Sequence, residues 1–92
     1  MDLSQVERES LYKAAIMFKI ERGGRGRDFR AIAENVASVL RTGGYIGSDV
    51  ESDLLAMADF GREQVPDLAV GTACEDVAKR LESKGVKSSL SV

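Results

Sequence analysis

Apolar positions recur at three- and four-residue spacing through most of the chain, and the clearest run is Phe29, Ile32, Ala33, Val36, Ala37 and Leu40. At about 100° of rotation per residue this spacing draws a single stripe along an α-helix. Asp28 stands where it can cap the start of that helix, and Thr42, Gly43 and Gly44 end it. An earlier helix starts at Ser4, which with Glu7 three residues on forms a capping box. Val6, Leu11, Ala14, Ala15, Met17, Phe18 and Ile20 line it until Arg22, Gly23 and Gly24 stop it. The glycine pair reads as a C-terminal cap, because glycine enters the left-handed conformation without a Cβ penalty.

Tyr45 to Gly47 form a short connector, after which Ser48 and Glu51 repeat the capping-box spacing. A third helix from about Asp49 turns Val50, Leu54, Met57, Ala58, Gly61 and Val65 inward. Pro66 breaks it, since proline disfavours helical backbone at the preceding residue and suits the first position of a new helix. Leu68, Ala69, Ala73, Val77, Ala78 and Leu81 then keep helical spacing to about Lys84. This stretch is either one helix or, with a second start at Thr72 and Glu75 after Gly71, two. Gly85 ends it, and 86–92 reads as a flexible, serine-rich tail.

The pattern predicts an all-α fold: a single small domain of four to five packed helices over 1–85, as a bundle or an orthogonal array. Ninety-two residues suffice for one core and not for two. With no Trp and three Phe, that core is built from small and aliphatic side chains. Val6, Phe18, Phe29, Ile32, Val36, Leu40, Leu54, Met57, Val77 and Leu81 are its candidates.

Charge and cysteine content narrow the function classes. A net charge of −2 offers no general attraction to nucleic acid or anionic lipid. Cys74 has no partner for an internal disulfide, the N-terminal residues lack a signal-peptide pattern, and no apolar run approaches the ~18 residues of a membrane span. A cytoplasmic protein without membrane association is the expectation.

Candidate chemistry is sparse. The chain has no His, which removes the usual general base. Ser10 and Lys13 match the S-x-x-K spacing of penicillin-binding serine enzymes, but the companion motifs are missing. In the Gly-rich stretch 42–48 the first two glycines are adjacent and follow a helix, whereas a dinucleotide-binding turn needs G-x-G-x-x-G after a strand. Asp49, Glu51 and Asp53 open like a calcium loop, yet Leu54 stands where glycine is required and Phe60 where the bidentate glutamate belongs. No catalytic residue, metal site or cofactor is therefore expected.

The remaining feature is the arginine–glycine stretch, with Arg22, Arg25 and Arg27 and, just beyond, Arg30. Guanidinium forks on a glycine backbone can grip phosphates or carboxylates in pairs, so these four form the candidate partner- or anion-binding site. Their alternative role is a solvated linker, or internal pairing with the acidic stretch 48–67, which carries Asp49, Glu51, Asp53, Asp59, Glu63 and Asp67 against Arg62 alone. The C-terminal Leu90-Ser91-Val92 could also add to the sheet edge of a PDZ-like domain.

The expected function is non-catalytic: a protein-interaction module, regulator or inhibitor that covers a partner protein, using these arginines and exposed rings such as Tyr12 or Tyr45, possible as a homodimer. Small chains of this type occur in phages and mobile elements, where anti-CRISPR-type inhibitors are one outcome. The alternative is a helix-turn-helix regulator built from the second and third helices. Nucleic acid is disfavoured as a partner, because carboxylates at 49, 51 and 53 would meet phosphates. If Leu40 lies on the inner stripe, Leu40→Ala lowers stability by ~2 to 5 kcal/mol in urea unfolding; an unchanged midpoint would place that stripe elsewhere.

Overall fold

A computed structural model describes residues 1–24 and 28–91. Four helices follow in order: α1 (Gln5–Arg22), α2 (Phe29–Thr42), α3 (Ser48–Gln64) and α4 (Leu68–Ser83). No strand occurs among the described residues, so the fold is all-α, and the stretch after Pro66 is one helix. α1 and α3 each pack against all the other helices, while α2 and α4 do not touch each other. The two flanking helices thus lean on a central pair.

Each helix end has a physical cause. At the start of α1 the Ser4 hydroxyl accepts from the Glu7 N–H at 3.1 Å and the Glu7 carboxylate accepts from the Ser4 N–H at 2.9 Å, completing the expected capping box. α2 ends at Gly43 with φ of 74°, a left-handed cap that glycine adopts without strain. Asp67 opens α4, its carboxylate accepting from the N–H groups of Ala69 and Val70. Pro66 therefore lies outside α4, one residue before its cap.

Other expected caps take a different form. Gly23 ends α1 in right-handed backbone, φ −62°, with its N–H still bonded to the Lys19 carbonyl at 3.0 Å. Asp28 precedes α2 without a side-chain cap bond. At α3 the cap position falls on Gly47, so Ser48 is already helical and the Ser48–Glu51 box does not form. That one-residue shift turns Glu51 toward the end of α4, where its buried carboxylate pairs with the Lys84 ammonium.

The core joins small side chains to a few large ones. Leu11, Ala14, Ala15 and Phe18 of α1 meet Val36 and Leu40 of α2, Leu54, Met57 and Phe60 of α3, and Val77 and Leu81 of α4. All three phenylalanines cluster: Phe18 stands edge-on to Phe29 and Phe60 at centroid distances of 5.6 and 5.3 Å. Phe29 and Ile32 are only partly buried at the margin of this core. The connector contributes Ile46, fully buried, which exchanges backbone hydrogen bonds with Met1. Arg8 of α1 donates to the Gly44 and Leu40 carbonyls and so satisfies acceptors left open at the end of α2. Residues 86–91, expected to fray, run back against α3: Val86 and Leu90 pack on the core and the Ser89 N–H donates to the Ser52 carbonyl.

Val6 departs from the expected core, standing 64% exposed. It lies five residues before Leu11, about 140° around the helix from the buried stripe. Leu68 and Ala69 depart likewise; Val70 and Cys74 occupy the inner face of α4 in their place.

Gly61 is the point where α3 comes closest to its neighbours. A Cβ there would lie 2.3 Å from the Cys74 sulfur and 3.1 Å from the Ala14 Cβ. Gly61→Ala is therefore expected to cost ~1 to 3 kcal/mol through overpacking. Urea unfolding followed by circular dichroism checks this, and the double variant Gly61→Ala/Cys74→Ala, which removes the obstructing sulfur, should be more stable than Gly61→Ala alone.

Candidate functional site

The structure divides the four candidate arginines. Arg22, in the last turn of α1, places its guanidinium 5.6 Å from the centroid of the Phe60 ring, a cation–π contact that holds it against α3. Arg30, in the first turn of α2, pairs with Glu34 at 3.5 Å, and the same carboxylate meets Lys19 at 2.9 Å. Arg25 and Arg27 lie outside the described residues. Of the four, the two that can be placed are each engaged with a group of their own chain. The rings proposed beside them differ: Tyr45 is 71% exposed, whereas Tyr12 is half-buried along the α1–α2 cleft.

Arg62 gathers Asp59 of the acidic stretch and two carboxylates of α4. Its guanidinium lies 2.7 Å from Asp59, 3.2 Å from Glu75 and 3.1 Å from Glu82, tying α3 to α4. Burial lowers the pKa of Arg62, but the hydrogen bond to Glu82, the charge of Asp59 and the bond to Glu75 outweigh it and hold the group firmly cationic. Glu75 is correspondingly held below the ordinary carboxylate range, mainly by its bond to Arg62. Asp59 is pushed the other way, because burial penalises its charge by more than the nearby Arg62 recovers. One of its oxygens is buried without an aligned hydrogen-bond donor, so proximity to the guanidinium does not replace its lost hydration.

These groups are arranged for packing and pairing. Burial raises the Cys74 thiol to about 11, leaving it protonated and without nucleophilic character. Among the described residues no group of His, Cys, Asp and Glu is placed to hold a metal ion, and no helix is long and apolar enough to cross a membrane.

An open cleft between α1 and α4 is of a different kind. Val6 on one side and Leu68 on the other stand 64% and 87% exposed, and Ala69, Thr72 and Ala73 line the same space of about 640 Å³. Glu7 and Asp76 edge it, and past Leu68 it continues into a second cleft lined by Val65, Pro66, Asp67 and Glu75. Contiguous exposed aliphatic surface is costly in water and marks a binding surface more often than isolated exposed residues do. Helical phase would have revealed it: Leu68 falls nine residues before Val77, about 180° from the buried stripe. No protein-family model, curated protein or solved structure matches this chain.

Asp59 makes the site's electrostatics testable. With its pKa raised above the ordinary 3.8, its contribution to stability is fully present below that value and is lost as pH rises through the higher folded-state value. Asp59→Asn should therefore gain stability relative to the parent chain as pH rises above 3.8, as read from urea midpoints across an acidic pH series. A parent chain that outperforms the variant increasingly with rising pH would show pairing with Arg62 to be the stronger effect.

Proposed function

We propose that this chain is a non-catalytic, intracellular protein-binding module, a regulator or inhibitor that works by covering a surface of its partner. The observation that carries this reading is the α1–α4 cleft, where Val6 and Leu68 stand exposed beside small side chains. Burying two such aliphatic side chains contributes ~1.5 to 3 kcal/mol each, enough to anchor a partner if the surrounding contacts exclude water. The titratable groups favour the same reading, because Asp59 and Glu51 of the acidic stretch are paired with Arg62 and Lys84, and the thiol is buried.

The helix-turn-helix alternative draws less support. A recognition helix must leave one face free to enter the major groove. α3 buries Val50, Glu51, every position from Leu54 to Ala58, and Phe60 and Gly61, which leaves little of its circumference for a duplex.

Affinity capture from a lysate of the source cells tests the proposal, comparing the parent chain with Val6→Asp/Leu68→Asp and with Arg22→Ala/Arg30→Ala. A stoichiometric protein should be reduced by about tenfold or more in the first variant, the consequence of losing at least one aliphatic anchor. It should persist in the second. Circular dichroism confirms that both variants fold. Loss in the arginine variant with retention in the Val6/Leu68 variant would move the binding surface to the other end of α1.

A further inference from the structure

We infer that the α1–α4 cleft receives a cationic amphipathic helix of a partner protein; this rests on the protein-binding reading above and adds the chemistry of the partner. Glu7, Asp67, Glu75 and Asp76 line the cleft and its continuation past Leu68, where Arg62 is the one cation among the described lining residues. Glu7 is paired with Arg80, and Glu75 with Arg62 and Lys79, whereas Asp67 and Asp76 form no ion pair among the described residues. An apolar row flanked by Lys or Arg would bury Val6 and Leu68 while its cations met these two carboxylates.

Other occupants fit less well. Helix starts attract anions through their open N–H groups. Here those groups are partly taken, by the Ser4 hydroxyl at α1 and by the Asp67 carboxylate at α4, and the surrounding carboxylates repel phosphate. A second copy docked through the same face about a two-fold axis would bring Asp67 and Asp76 toward their own counterparts. Such like-charge juxtaposition opposes association.

A pair of designed helical peptides of about 18 residues, long enough to hold helical structure, serves as the probe. Each carries the same leucine row; one is flanked by lysines and the other by glutamates. Fluorescence anisotropy should show the lysine peptide binding at least about tenfold tighter, with the preference shrinking as salt is added. Amide chemical shifts should move at Val6, Leu68, Ala69 and Ala73, and Asp76→Lys should reduce or invert the preference. Equal binding of the two peptides, binding of neither, or shifts confined to α2 overturns the inference. So does a dimer in sedimentation equilibrium that Leu68→Asp dissociates. Lysate capture separates the cationic helix from the cleft as a binding surface. A partner lost with Leu68→Asp but unaffected by Asp76→Lys removes the cationic helix and leaves the cleft as the binding surface, whereas a partner indifferent to Leu68→Asp removes both.

Discussion

The approach of α3 to α1 and α4 at Gly61 is the constraint on which the packing of this domain depends. At that point there is space for a hydrogen and none for a methyl group, because the Cys74 sulfur and the Ala14 Cβ already occupy it. Close approach requires small side chains on every facing surface, and Ala14, Ala15, Ala58, Ala73 and Ala78 supply them. Interiors pack at near-crystalline density, so helices drawn this close leave little volume for large residues. The three phenylalanines gather one turn further along α1, around Phe18, where α2 joins α1 and α3.

That arrangement explains why α1 lies at the centre. Its small residues face α3 and α4, its Phe18 completes the aromatic cluster, and its Arg8 closes the end of α2. α1 therefore combines three chemistries: steric fit to α3 at Ala14, ring packing on α2 and α3 at Phe18, and charge-assisted hydrogen bonds to carbonyls at the end of α2 at Arg8. The ion pairs sit around this frame. Arg62 joins α3 to α4 at the surface of the steric contact, and Lys84 meets Glu51 where α4 ends. Partly exposed pairs of this kind add modest stability, and their clearer effect is on which helices neighbour one another.

Much of the fold was legible because helical phase and capping chemistry are local. The capping box at Ser4, the left-handed Gly43 and the break at Pro66 depend on neighbouring residues alone, and each marks a helix end. The failures share a cause. Ser48 and Glu51 have the spacing of a box, but backbone geometry puts the cap on Gly47, and Glu51 answers to Lys84, 33 positions away. Ile46 in the connector is buried through its pairing with Met1, which no periodicity encodes. The candidate site was less legible. Charge drew attention to the arginines, yet Arg22 is held by a ring on α3 and Arg30 by a carboxylate on α2. Val6 and Leu68 look inward by their apolar character, whereas their helical phase places both outside.

An exposed aliphatic residue out of phase with its helix carries information that an in-phase one does not. Val36 or Val77 is explained by the core it fills, and exchanging it for a polar residue would unfold the domain. Folding places no such demand on Val6 or Leu68, and each increases the cost of solvating the surface. Ile20 and Tyr45 are exposed as well, but Val6 and Leu68 share one cleft, on two different helices, which Ala69 and Ala73 also line. Ala73, buried on the inner side of α4, also lines that cleft, so one small residue serves both the packing inside and the groove outside. Ala73 thus links the packing of α4 to the surface through which the domain is proposed to act.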